Sequence, residues 1–147
     1  MTHEQMWSRY QQQNPQATDY QAWAFCGGGP FADELGALVL QGTKAATAST
    51  VLAYQTENEP LPTVGCYSVV LSSLGDAMCV IRDTKVTVCP FDEVSERHAW
   101  LEGEGDRSLA SWREVHHRFF KMDYDAAGLP YDENGLCVLE EFEIVYR

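Results

Sequence analysis

The chain is short of positive charge. Ten lysines and arginines stand against twenty-two aspartates and glutamates, a formal net charge of −12 over 147 residues. Capture of a phosphate backbone needs a basic face, so duplex DNA is excluded from the expected partners. Long apolar runs are lacking too: no stretch approaches the ~18 residues that cross a bilayer, and no membrane partner is expected. The opening Met1-Thr2-His3-Glu4-Gln5 has no basic region leading into an apolar segment and does not read as a secretory signal. Cysteine is sparse and odd in number (Cys26, Cys66, Cys79, Cys89, Cys137), with no C-x-x-C pair. Most of these lie in apolar, strand-like runs, which fits reduced thiols of a cytoplasmic protein better than disulfides or a zinc site. The phosphate-loop, dinucleotide, H-E-x-x-H and calcium-loop patterns are all missing, and neither cofactor nor metal is expected. Internal repeats and low-complexity tracts are absent as well.

What remains is enough for one domain. The apolar fraction is 45% and the aromatic fraction 12%, which supports a core with order beyond the first dozen residues. Glu4–Gln13 reads as a short helix stopped by Asn14-Pro15, its aromatics docking on the body. Cys26-Gly27-Gly28-Gly29-Pro30 reads as a tight connector. Ala32–Gln41 reads as a helix, with Asp33 and Glu34 in its first turn and Gly42 beyond its end. Val64–Ser72 and Ala77–Asp83 read as a hairpin around Ser73-Leu74-Gly75-Asp76, and Thr84–Cys89 as a further strand ended by Pro90. Asp92–Leu101 reads as a helix. Ser108 caps another over Leu109–Lys121, residues 123–135 read as a loop, and Leu136–Tyr146 as a closing strand. Strands that continue one another around helices suggest a small mixed barrel.

The chemistry-bearing stretch is Gly42-Thr43-Lys44-Ala45-Ala46-Thr47-Ala48-Ser49, where Lys44 is the only lysine before residue 85. A deprotonated amine three residues from a hydroxyl can activate that oxygen for attack. A solvated lysine beside a turn threonine is the plainer alternative. Glu102-Gly103-Glu104-Gly105-Asp106 reads as an acidic loop: a solvated turn, a metal site, or one carboxylate turned inward to hold Lys44 or a substrate amine. Half the basic residues (Arg97, Arg107, Arg113, Arg118, Lys121) lie between 97 and 121 with His98, His116 and His117. A local basic cleft there favours a small ligand or a short single strand. His98 reads as a core histidine. One of His116 and His117 is expected to pack and the other to be exposed, because neighbours on a helix point apart. Trp100 and Trp112 read as core residues.

Several motifs taken together resemble a known family. They are Gly42-x-Lys44-x-x-Thr47, Leu61-Pro62-x-x-Gly65, Pro90-Phe91-x-x-Val94, the long run from His98-Ala99-x-x-Glu102-Gly103 through Arg107-Ser108-Leu109-x-x-Trp112-Arg113-x-x-His116 to Phe119-Phe120, and Glu140-x-Phe142. This set resembles an ASCH domain over about residues 23–146. The resemblance implies an α+β fold, a PUA-like mixed β-barrel with flanking helices around a cleft that the G-x-K segment lines. It divides the chain into an N-terminal helical extension, 1–22, and an ASCH domain, 23–147. It implies binding of a modified nucleoside or short single-stranded RNA. One branch of the family removes the acetyl group of N-acetylcytidine without a metal. Its Lys, Thr and Glu fall on Lys44, Thr47 and Glu102, the expected catalytic set; the broad family motif has Glu at the position of Thr47 and Arg at that of Ser49. Another branch is a ribonuclease. Gly42, Ser49, Arg107, Ser108, Arg113 and His116 are the expected substrate-binding residues. In a hydrolase, Lys44 activates Thr47 while Glu102 orients the amine. In a non-catalytic module, Lys44 stays charged and grips a phosphate or base edge, with Arg107, Arg113 and Arg118 on the backbone.

Overall fold

A computed structural model describes residues 1–147. Its centre is one five-stranded mixed sheet: β1 (Gln21–Trp23), β2 (Ala46–Thr50), β3 (Tyr67–Leu71), β4 (Ala77–Pro90) and β5 (Leu136–Tyr146). The spatial order is β1-β3-β4-β5-β2. Only β1 and β3 pair in parallel; the other neighbours are antiparallel. The sheet curls into a half-barrel with helices around it, the PUA-like architecture the resemblance implies. Its two edge strands, β1 and β2, are far apart in the pairing order, yet both face the same cavity.

Helix α1 (His3–Gln13) starts in a capping box, Thr2 accepting from the Gln5 amide while the Gln5 side chain accepts from the Thr2 amide. It buries Met6, Trp7 and Tyr10 against Val69 and Val80 of β3 and β4. Trp7 also stacks on Tyr20, with ring centroids 4.6 Å apart, which ties the helix to the approach of β1. Helix α2 (Pro30–Leu40) has its proline in the first turn, where the missing N–H costs no hydrogen bond. Helix α5 (Leu109–Ala126) is capped by Ser108 and turns Trp112, His116 and Phe120 inward at spacings of one turn.

Several boundaries differ from the sequence reading, each for a visible reason. Thr84–Cys89 is not a separate strand, since it continues Ala77–Asp83 as the single 14-residue β4. The junction is a register shift against β5 between Asp83 and Lys85, which leaves Thr84 unpaired in the ladder and its hydroxyl bonded to the Glu141 carbonyl. Asp92–Leu101 divides into a 3-10 turn at Phe91–Glu93 and helix α4 (Glu96–Glu102), because Ser95 caps a new start through the His98 amide. Asp123–Ala126 belongs to α5 rather than to a loop. The small-residue segment after Lys44 holds strand β2 and helix α3 (Val51–Thr56), which neither Ala nor Ser announces by propensity. Trp100 is not core: it is 56% exposed, with the Arg107 guanidinium 3.6 Å over its ring.

Candidate functional site

Two assemblies meet along β2. The first is a buried ionic hub around Lys44 and Glu102, which are 2% and 1% exposed. Glu102 does not open a loop; it is the last residue of α4, and Gly103 follows in the left-handed conformation at φ 71°. That glycine permits close approach, because a Cβ there would lie 2.3 Å from the Thr43 carbonyl oxygen. Lys44 Nζ donates to the Glu102 carbonyl at 3.4 Å, to Glu102 Oε1 at 3.3 Å and to Glu104 Oε2 at 2.7 Å. Its three N–H donors are thereby used. Glu102 Oε2 accepts from Trp112 Nε1 at 2.6 Å and meets His98 Nε2 at 2.7 Å, while His116 Nε2 lies 3.3 Å from Oε1.

Burial alone would push the Glu102 carboxyl up. The Lys44 ammonium, with the His116 and His98 hydrogen bonds, outweighs it and holds the carboxyl well below the usual carboxylate range. For His116, burial would lower the imidazole, but the Glu102 hydrogen bond and charge raise it, with Glu104 and the Trp112 carbonyl adding to them. Geometry agrees. His116 Nδ1 faces the Trp112 carbonyl at 2.9 Å and Nε2 faces a carboxylate, so both ring nitrogens meet acceptors and only the doubly protonated ring satisfies both. Lys44 and His116 thus balance Glu102 and Glu104. The oxygen and nitrogen atoms of Glu102, Glu104 and His116 converge as metal ligands do, but Lys44 already supplies a cation to both carboxylates.

The second assembly is a cavity of about 1100 Å³ at the open side of the half-barrel. Tyr20, Trp23, Phe25, Tyr54 and Tyr67 give it aromatic walls. Thr47 and Ser49 line it from β2, and Ser49 Oγ donates to the Tyr54 hydroxyl at 3.3 Å. Asp19, Glu57, Glu59 and Glu140 also line it, and no lysine, arginine or histidine does. Glu140 sits opposite Thr47 in the β2–β5 register. Beside it are Asp83, 5% exposed, and Cys66, whose thiol donates to Asp83 Oδ2 at 3.2 Å. Burial, then the hydrogen bond and charge of Asp83, pushes the Glu140 carboxyl up to about 9. Burial first, and then Asp83, pushes the Cys66 thiol up to about 12.

The expected site residues therefore divide. Lys44, Glu102 and His116 are together in the hub, and Thr47 and Ser49 are together in the cavity. All side-chain hydrogen bonds of Lys44 go to Glu102 and Glu104, and none to Thr47. Phe25 stands between the assemblies: it lines the cavity, and Lys44 Nζ lies 5.2 Å from its ring centroid. Gly42, Arg107, Ser108 and Arg113 do not line the cavity. Arg107 donates to the Trp100 and Thr43 carbonyls and Arg113 to those of Asp92 and Val94. Ser108 caps α5. Asp83, Cys66, Tyr54 and Glu140 as a cavity group went unread. A signal existed in β5, where Glu140 occupies the alternate register of Val138, Phe142 and Ile144, an acid placed where an apolar side chain is expected.

The architecture and the β2-centred site define a PUA-like α+β domain. The ASCH-domain family model matches residues 21–146, and the chain belongs to the ASCH-domain family, a domain type linked to RNA binding. It is similar to the ASCH domain of Lactobacillus crispatus JV V101, at 34% identity and a TM-score of 0.91, over 98% of this chain and 94% of that one. It is also similar to protein EF3133 of Enterococcus faecalis V583, at 33% identity and a TM-score of 0.87, over 97% of this chain and 87% of that one. The hypothetical protein PH0355 shares the fold alone, at 14% identity and a TM-score of 0.52, over 87% of this chain and all of that one. Among curated proteins none matches at significance.

Proposed function

We propose that the chain binds a modified nucleoside, or the exposed base of a short single-stranded RNA, in the cavity between the two sheet edges. One observation carries this reading: a cavity roomy enough for a nucleoside, with five aromatic side chains and hydrogen-bonding groups on its walls, but no basic side chain. Flat rings suit a stacked base, a contact worth ~1–3 kcal/mol per base. Thr47, Ser49 and Glu140 supply directional contacts to its edge. The hub around Lys44 supports this wall rather than gripping phosphate, since its charges are already mutually satisfied. Arg107 and Arg113 are likewise engaged with carbonyls.

A hydrolytic reading has one observation in its favour: Thr47, three residues after Lys44, lies on the cavity wall. Against it, an amine whose three N–H groups all donate has no lone pair free to take a proton from Thr47. Titration of the intrinsic tryptophan fluorescence with cytidine, N-acetylcytidine and short RNAs, the response being lost in Trp23→Phe, tests the binding reading. Saturable binding that changes little with salt supports it. A steep salt dependence would signal phosphate contacts and overturn it. Turnover of N-acetylcytidine that is lost in Thr47→Ala and indifferent to chelator would establish the hydrolase instead.

A further inference from the structure

Behind the cavity wall lies a buried acid with no counter-ion. Asp83 is 5% exposed, and its side chain accepts from the Cys66 thiol and lies close to Glu140. No lysine, arginine or histidine forms an ion pair with Asp83 or Glu140, although the molecule pairs its other buried carboxylate, Glu102, with two cationic side chains. Buried charges in proteins are ordinarily paired, and here a second acid replaces the missing cation. The register shift at Thr84 sets this up. It puts Asp83 of β4 diagonally beside Glu140 of β5, and Glu140 in turn lines the cavity. Asp19, Glu57 and Glu59 add negative charge around the same space, and five aromatic rings bound it. Aromatic faces carry negative potential and attract organic cations.

We infer that the cavity selects a planar ligand bearing positive charge, an N-alkylated nucleobase or similar heteroaromatic cation, seated against Glu140 with Asp83 behind it, and taking the place of the Glu140 proton. The inference deepens the nucleoside-binding reading and rests on it for the identity of the ring, though not for the charge. Proton bookkeeping follows from the wall. Glu140 keeps its proton at neutral pH because burial and Asp83 push it up to about 9. A bound cation removes the reason for retaining it, so the O–H proton passes to solvent as the ligand enters. The groups facing Glu140 are Asp83 from β4, Cys66 from the segment before β3, Thr47 from β2 and Tyr54 from α3. Burial raises the Tyr54 hydroxyl, which leaves that side chain neutral, and the Cys66 thiol is raised to about 12. Glu140 is therefore the group that releases the proton between pH 7 and 8.

Calorimetric titration of the full chain at pH 7.5, in two buffers of different ionisation enthalpy, tests this. The probes are N-methylquinolinium against neutral quinoline, and 3-methylcytidine, a cation at neutral pH, against neutral 5-methylcytidine. Each cation is expected to bind at least about tenfold tighter than its neutral partner, with release of about one proton. Glu140→Gln, which keeps the shape of the side chain, is expected to abolish both the preference and the proton release; its fold is checked by circular dichroism. Asp83→Asn is expected to weaken the preference in the same direction. If 5-methylcytidine binds as tightly as 3-methylcytidine, the charge inference fails while the nucleoside reading stands. If N-methylquinolinium is preferred but no nucleoside binds, the nucleoside reading fails while the charge inference stands. If no probe binds, both fail. If Glu140→Gln folds and keeps the preference, the pair is not the selector.

Discussion

At the scale of single residues, buried Glu102 and half-buried Glu140 are opposites. Glu102 is held ionised by its partners, and Glu140 is held protonated for want of one. Removing a partner from the first leaves a charge stranded. Lys44→Met is expected to cost about 3–5 kcal/mol in urea denaturation, because Glu102 would then lose its ammonium partner and keep only His116, His98 and the Trp112 indole. The double variant with Glu102→Gln is expected to cost clearly less than the sum of the two single variants, and an additive pair of losses would show that the two side chains are not coupled. For Glu140 the sign reverses. The folded chain holds its proton up to about pH 9, whereas the unfolded chain loses it near 4.5. The native state therefore binds more protons across that window, and stability falls as pH rises through it. Glu140→Gln is expected to raise Tm at pH 8 by several degrees, on the order of 5 °C, and to leave it nearly unchanged at pH 4.5. An equal shift at both pH values would mean that Glu140 is ionised in the fold.

At the scale of elements, short connections decide what meets what. α4 ends on Glu102 because Gly103 reverses the chain, and the Thr43 carbonyl packs where a Cβ would be. Gly103→Ala is expected to cost at least about 2 kcal/mol, from left-handed strain and from pushing Thr43 and Lys44 off the α4 terminus. A thermal shift within one degree of wild type would contradict that packing. The same elements show what the sequence made legible. The closing strand, the hairpin and the capped α5 follow from alternation and from Ser108, and the three appear where those signals put them. The inward turn of Glu102 toward Lys44 was one of three readings of the acidic loop. Strand β2 was not legible, since Ala46-Thr47-Ala48-Ser49 has weak strand propensity and takes its extended form from pairing with β5. The carboxyl pair was hidden for a related reason: Asp83 and Glu140 become neighbours only through a register shift between strands distant in sequence.

At the scale of the whole molecule, the titrating groups act together. Glu102, lowered from an ordinary value of 4.5, contributes stability that is present above that value and lost as pH falls through its folded value. His116, raised from 6.5, contributes stability that is full below that value and lost as pH rises through its folded value. Glu140 subtracts stability from 4.5 upward. The melting temperature is therefore expected to peak on the acid side of neutrality, between 4.5 and 6.5, and to decline toward pH 9. A profile that rises monotonically to pH 9 would contradict this set of assignments. The strand pairing has a kinetic counterpart. Ala46–Thr50 pairs with Cys137–Glu141, roughly ninety positions later, and closing so long a loop is slow compared with forming the β3–β4 hairpin. β5 carries Glu140, braces β2 and donates from the Phe142 amide to the Ala45 carbonyl. Refolding should thus regain the hairpin before it regains ligand capture, because the cavity wall exists only once β5 has joined β4 on one side and β2 on the other.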